Sequence, residues 1–450
     1  MRILLVSTYE LGHQPLHVAS PAAALREAGH DVRVLDLSVD SLGPEPVDWA
    51  EAVALSVPMH TAMRLAVRAA ERIRERRPDL AVCFYGLYAA VSADRTVGTL
   101  ADRVIAGEYQ PALVRWVAEL SGGSLEQEGP VRVELGRTRF SVPARDLLPP
   151  LDQYSHLQVG DEHRLVGYVE ASHGCRHRCR HCPIPAVYGG RYRVVGQEAV
   201  VADVEQLVGM GARHVTFGDP DFLNAPPYAL DLIRTVHHAH PNLTFDLTVK
   251  VEHMLRYPEV WPDLAGMGVL FVVSAFETTN DRILELLDKG HTSADEAAAV
   301  ELLRRSGIEV RPSWLPFTPW TTLDDVVDVF EFVDRHDLVE NTDPVQLSIR
   351  LLIPEGSLVL DLPDVVPYLE VYDAEGLTYR WRSSDPKVDE LQVRLAAIAE
   401  GAADQDAYPL AAFVEMWREA LESAGRSADR AQIPAGATAG RPRLTEPWFC

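Results

Sequence analysis

Apolar residues in the first 120 positions fall into short runs that alternate with longer stretches of helical spacing. Residues 3–6 form an apolar run suited to a strand buried on both faces, and residues 19–28 show helical spacing closed by Gly29. Residues 31–37, 52–57, 80–85 and 103–106 are further strands, with helices over 61–77 and 111–120 between them. Strands separated by helices in this way predict a doubly wound, Rossmann-like α/β domain over residues 1–124. Residues 125–164, rich in Gly, Pro and charge, read as a linker with one hairpin over 131–142.

From residue 165 to 361 a strand–loop–helix unit recurs. Strands are expected at 165–170, 214–217, 243–249, 269–274, 308–313 and 345–352, with helices at 197–210, 281–287 and 323–333. Six such units predict a partial (β/α)6 TIM-type barrel, whose chemistry gathers at the C-terminal ends of the strands. Residues 362–450 form a small extension with helices at 388–399 and 410–423 and a tail ending in Cys450.

Composition narrows the function classes. The chain of 450 residues is long enough for two or three domains, and its net charge of −24 disfavours a nucleic-acid substrate. No stretch approaches 18 uninterrupted apolar residues, so no membrane span is expected, and the opening apolar run is too short for a signal peptide. Five cysteines, three of them clustered, argue against a disulfide framework and for a cytoplasmic protein.

Those three are Cys175, Cys179 and Cys182, in Gly174-Cys-Arg-His-Arg-Cys-Arg-His-Cys-Pro183. Three thiolates on one short loop can hold three irons of a cubane cluster and leave the fourth iron open. A closed zinc site is the competing reading; it wants four ligands, the fourth being His173, His177 or His181. The spacing C-x3-C-x2-C, with an aromatic ring (His181) before the last cysteine, resembles the radical S-adenosylmethionine (SAM) superfamily. That resemblance implies a [4Fe–4S] cluster on Cys175, Cys179 and Cys182. It also implies SAM, cleaved reductively to a deoxyadenosyl radical that acts on an unknown substrate, and an electron donor such as flavodoxin or ferredoxin.

Further residues follow from the resemblance. Asp219 and Asp221, in Gly218-Asp-Pro-Asp221, stand where the superfamily has a Gly-Gly-Glu element that holds the SAM amine. Ser274 and Glu277 resemble its Gly-x-Glu-Ser element. Lys250, Glu252 and His253 follow the third strand and are candidates for SAM or substrate contact, with a salt bridge as the alternative. Arg311 and Arg350 lie inside late strands, where a charge needs a partner such as a SAM or substrate carboxylate.

The element order of residues 1–124 resembles the cobalamin-binding domain that precedes the barrel in one branch of the superfamily, and Ala106-Gly-Glu-Tyr109 resembles that branch's Gly-Glu turn. The histidine motif that ligates cobalt in cobalamin proteins is absent, so both a bound corrinoid and a fold kept without one stay open. His13, His17 and His60 could face such a group. Finally, Glu446-Pro-Trp-Phe-Cys450 resembles the tail of a radical SAM (seleno)protein family named for a terminal Cys-Sec-Ala-Glu-Pro or Cys-Cys-Ala-Glu-Pro segment. On that resemblance Cys450 is a candidate redox residue and the chain continues through selenocysteine. The alternatives are a cobalamin-dependent radical methyltransferase, a tRNA methylthiotransferase, which the acidic charge disfavours, and a zinc-stabilised binding protein without catalysis.

Overall fold

The computed structural model describes all residues except 123–128, 405–408, 432–439 and 447–450. Six parallel strands make the first sheet: β1 (Arg2–Ser7), β2 (Asp31–Asp36), β3 (Ala52–Ser56), β4 (Ala81–Tyr85), β5 (Arg103–Gly107) and β6 (Val131–Glu134). Their order is β2-β1-β3-β4-β5-β6. The interior strands are almost wholly apolar and buried, as expected for strands covered by helices on both faces. One core lies on each face. Strand order reverses at β1, and ligands of such sheets bind outside the carboxyl ends at that switch point.

Residues 131–134 are therefore not one arm of a hairpin in a linker. They pair in parallel with β5, Val104 opposite Val131 and Gly107 opposite Glu134, so the first domain runs past residue 124. An edge strand with Val131 and Val133 exposed alternates polarity just as a hairpin arm does.

The second sheet begins with an antiparallel pair, β7 (His156–Val159) and β8 (Glu162–Val169). A short antiparallel ribbon follows, β9 (Ser172–Gly174) with β10 (Tyr192–Val194). Then β11 (His214–Phe217), β12 (Thr244–Thr248), β13 (Val269–Glu277) and β14 (Glu309–Trp314) continue from β8 in parallel. Helices Gln197–Gly209, Pro226–Ala239, Ser293–Arg305 and Leu323–Arg335 supply the outer layer over the largest core.

The expected sixth barrel strand at 345–352 does not form. Pro344–Ser348 is a 3-10 turn, and a single bridge joins Phe317 to Arg350. Pro344 lacks an N–H, and the Gln346 side-chain oxygen accepts the Trp314 N–H (3.2 Å) that a sixth strand would otherwise pair.

The extension adds the hairpin β15 (Leu369–Asp373) and β16 (Thr378–Trp381), then helices Pro386–Asp404 and Pro409–Ser423. Finally β17 (Arg443–Leu444) pairs with β7. Between the domains, the fully buried Arg145 clamps both: Nε and Nη2 lie 2.9 and 2.8 Å from the Asp203 carboxylate. Its Nη2 also donates to the Tyr168 carbonyl (2.7 Å) and Nη1 to Gln14 Oε1 (3.2 Å). Among the described residues no helix is long and apolar enough to cross a membrane.

Candidate active site

The ribbon of β9 and β10 closes the loop that carries the three cysteines. Gly174 has φ +73°, and a Cβ there would lie 2.4 Å from the Arg191 carbonyl oxygen and 2.6 Å from the Tyr188 ring, so only glycine fits. Cys175 and Cys179 are buried, Cys182 is half-buried, and all three thiols are free. Burial pushes Cys182 up to about 12, and the other two thiols are close enough to push it the same way. Lys250 Nζ lies 3.7 Å from Cys179 Sγ, the polarity a bound thiolate needs.

The donor set decides between zinc and an iron–sulfur cluster. His173 lies 3.0 Å from a Glu108 oxygen and 3.2 Å from one of Glu170. His177 faces Asp221 (3.7 Å) and Glu252 (3.5 Å), and His181 contacts Glu277 (2.9 Å). His173 and His181 contact carboxylates at hydrogen-bond distance, and His177 groups with Asp221 and His253; among the described residues the one compact set of three metal-ligand side chains contains no cysteine. These residues fit a cubane with one open iron better than a closed zinc site.

The strand-end residues gather around this loop. Asp219 accepts hydrogen bonds from Ala171 N (2.9 Å) and Ser172 Oγ (2.5 Å), tying the end of β11 to the root of the cysteine loop. Burial raises its carboxyl to about 7 against those two bonds. Asp221 is fully buried; its Oδ2 lies 2.6 Å from His253 Nδ1, and with His177 they form a compact His–Asp–His group beside Cys175. Glu277, at φ +71°, sits between Lys289 Nζ and His181 Nε2, each 2.9 Å away. Burial alone would raise its carboxyl, and the neighbouring Lys289 and His181 instead hold it well below the usual range. Ser274 Oγ is buried with no partner among the described residues.

Two expectations are corrected. Arg311 does not reach the cysteine loop: it pairs with Asp343 (3.0 Å) and with the carbonyls of Glu340 and Pro442. Arg350 pairs with Asp389 (2.5 Å) and stacks 3.5 Å over the Trp381 ring, so neither arginine is free for a ligand carboxylate. His60 points its Nε2 at the Gly376 carbonyl instead of into the site. Cys450 lies outside the described residues.

A cavity of about 310 Å³ opens between the C-terminal ends of the two sheets. Glu10, His13, His17 and Tyr109 wall it from the first domain, Tyr168, Glu170, His173 and Asp219 from the second. His13 packs at a tilt against Tyr168 (4.8 Å between ring centres), and burial lowers its imidazole to about 4, which leaves it neutral.

An unbroken chain of buried and half-buried groups crosses this boundary. Glu10 Oε2 lies 3.0 Å from His17 Nδ1, and His17 Nε2 lies 3.3 Å from Glu170. Glu170 and Glu108 flank His173, and Tyr188 donates to Glu108 (3.1 Å) while Tyr168 donates to Glu170 (2.8 Å). Burial opposes the charge on His17, yet Glu10 and Glu170 raise it to about 9. Sequence reading missed Glu10, Glu170, Tyr168 and Lys289 as site residues. The available signal was acids immediately past strands, Glu10 after β1 and Glu170 after β8, matching Glu108 after β5.

This cavity is where the residues fit a corrinoid. It lies at the switch point of the first sheet, and its wall combines apolar residues (Leu11, Met59, Leu87) with the neutral His13 imidazole.

Comparison with known proteins agrees with the geometry. Residues 169–333 match the radical SAM superfamily and residues 2–116 the B12 binding domain. The chain is 26% identical over 325 residues to the hopanoid C-3 methylase of Methylococcus capsulatus, covering 68% of this chain and 62% of that protein. It is 25% identical over 288 residues to the hopanoid C-2 methylase of Rhodopseudomonas palustris, covering 62% of this chain and 52% of that one. The chain thus spans less than two thirds of the length of either methylase. Among solved structures it superposes on the cobalamin-dependent SAM radical enzyme OxsB with aqua-cobalamin bound (TM-score 0.70, 14% identity, 89% of this chain, 67% of that one). It also superposes on the radical SAM methyltransferase TsrM from Kitasatospora setae with tryptophan and a SAM analogue bound (TM-score 0.65, 18% identity, 92% and 88%). Those likenesses establish the shared fold. The three-cysteine loop, the superfamily match and the shared architecture together make this chain an enzyme in which a B12-binding domain is joined to a radical SAM domain, a pairing that implies a [4Fe–4S] cluster and SAM.

Proposed function

We propose that the protein is a cobalamin-dependent radical SAM methyltransferase. The observation that carries this reading is the cavity itself, which is walled jointly by the carboxyl-end loops of the B12-binding sheet and by the radical SAM strand ends and cysteine loop. Cobalamin bound at the first sheet would supply a methyl-carrying metal, and the cluster would supply the electron chemistry for SAM. Cys175, Cys179 and Cys182 would hold the cluster. Lys250 and the Glu277–Lys289–His181 group set the charge beside it, and Asp219 and Asp221 fix the loop and strand ends where SAM must lie. Burial of the whole assembly keeps water from the reacting centre.

The substrate, a flavodoxin or ferredoxin donor and a cytoplasmic location belong to the same reading. So does the relation of the tail to the Cys-Sec-Ala-Glu-Pro family, with Cys450 as a redox residue; an in-frame UGA codon after Cys450 followed by Ala-Glu-Pro supports it, and any other codon removes it.

The functional test is anaerobic turnover of reconstituted enzyme with SAM and dithionite, with and without hydroxocobalamin. The methyltransferase reading predicts S-adenosylhomocysteine that appears only with cobalamin. Deoxyadenosine alone, unaffected by cobalamin, favours the simpler reading of a radical SAM enzyme without methyl transfer.

A further inference from the structure

The buried chain between the domains is not balanced in charge. It holds three carboxylates (Glu10, Glu108, Glu170) against two imidazoles (His17, His173). Even with a proton on both imidazoles, the three carboxylates outnumber the cations they contact by one, and such an imbalance in a largely buried chain is costly unless a further cation answers it.

The excess has a location. At Glu10 one carboxylate oxygen, Oε2, takes both side-chain hydrogen bonds found among the described residues: His17 Nδ1 (3.0 Å) and the His17 backbone N–H (3.3 Å). The other, Oε1, is buried, has no hydrogen-bond partner among the described residues, and belongs to a residue that is 8% exposed and lines the cavity. The other groups that face Glu10 sharpen the need. Asp36 lies close enough for Glu10 to push its carboxyl up, beyond the larger effect of burial. Tyr85, Tyr109 and Tyr168 also face Glu10 and are neutral, held so first by burial. His13, the remaining nearby ring, is neutral as well.

We propose that Glu10 Oε1 is the recognition point for a cationic N–H donor, an ammonium or amidinium group carried by the substrate that enters this cavity. The proposal rests on the reading of the cavity as the reaction chamber and adds the substrate's chemical class. Glu10 would hold the donor at the first domain's wall, with His17 and Glu170 keeping the carboxylate fixed and charged. Charge-assisted bonds of this kind are roughly twice as strong as neutral ones, and they strengthen where water is excluded.

The test uses the full-length, cobalamin-loaded protein and short probes that fit the cavity, n-butylammonium and its neutral counterpart 1-butanol. Binding is read by ligand-observed saturation-transfer NMR in wild type, Glu10→Gln and Glu10→Asp, with far-UV circular dichroism as the folding control. Butylammonium should bind wild type at least tenfold tighter than 1-butanol. That preference should vanish in Glu10→Gln and survive in part in Glu10→Asp, which keeps the charge. Equal binding of the two probes by wild type, or an unchanged preference in Glu10→Gln, overturns the proposal.

A hydroxocobalamin titration of the same variants, followed by absorbance, separates this inference from the one beneath it. Wild type and Glu10→Gln should bind cobalamin alike. A tenfold loss in Glu10→Gln would assign Oε1 to a corrin amide and overturn the substrate assignment. No cobalamin binding by wild type would instead remove the methyltransferase reading itself.

Discussion

Arg145 makes the sharpest stability prediction, because one side chain ties together three segments that the cavity depends on. Its guanidinium makes a two-pronged pair with Asp203, on the first barrel helix Gln197–Gly209, and reaches the Tyr168 carbonyl on β8 and Gln14 in the loop after β1. The side chains are 1% and 4% exposed, so neither charge can turn to water if the other is removed. Arg145→Met strands the Asp203 carboxylate and should cost about 3–5 kcal/mol. Asp203→Leu in the same protein removes the stranded charge. The double variant then lacks only the bonds to Gln14 and Tyr168, a loss of about 1–3 kcal/mol, so it should be more stable than Arg145→Met alone. Urea unfolding followed by tryptophan fluorescence and by far-UV circular dichroism reads both numbers. In Arg145→Met the two probes should also separate, because the domains come apart before either one melts. A single variant within about 1 kcal/mol of wild type, or a double variant no better than the single, would refute the view of Arg145 as a clamp.

Three further outcomes follow. Gly218→Ala would place a Cβ 1.9 Å from the Tyr168 hydroxyl; such overpacking should cost about 1–3 kcal/mol and lower the thermal midpoint, and an unchanged midpoint would show that Tyr168 moves freely. His17 titrates at about 9 when folded against 6.5 when free, so its contribution is fully present below pH 6.5 and is lost as pH rises through about 9. Wild type should therefore lose about 3 kcal/mol more than His17→Gln over that window in denaturant titrations, and parallel curves would refute the raised value. Lys289 is 2% exposed and pairs with Glu277; Lys289→Met should destabilise by about 3–5 kcal/mol and reduce iron retained after reconstitution, and full retention would show that the pair does not support the cysteine loop.

The sequence made the repeating units legible because parallel strands covered on both faces are continuous apolar runs, and their helices follow at regular intervals. Ends of elements shifted by up to three residues, but β1 to β5 and the barrel strands from β8 to β14 stand where the pattern puts them. What it could not show was pairing. Residues 131–134 have the alternation of any half-exposed strand, and only the register with β5 makes them part of the first sheet. Residues 345–352 are as apolar as a strand, yet a proline and one glutamine side chain satisfy the neighbouring edge instead. The cysteine loop was legible because three rare residues within eight positions carry their own chemistry. Arg311 misled because a charge in a strand signals that it has a partner without saying which one, and the partner is Asp343. The Glu10–His17–Glu170–His173–Glu108 chain spans two domains, so apart from the local pair Glu170 and His173 its members become a group only in the folded protein.

The most direct measurement of the central claim is metal content of one anaerobic preparation, reconstituted with iron and sulfide and then saturated with hydroxocobalamin before gel filtration. A B12-binding domain and a radical SAM domain acting on one cavity predict about four irons and one cobalt per chain, with Cys179→Ala losing iron while keeping cobalt. Zinc taken up in place of iron, or a chain that holds the cluster and releases all cobalamin, would contradict the account.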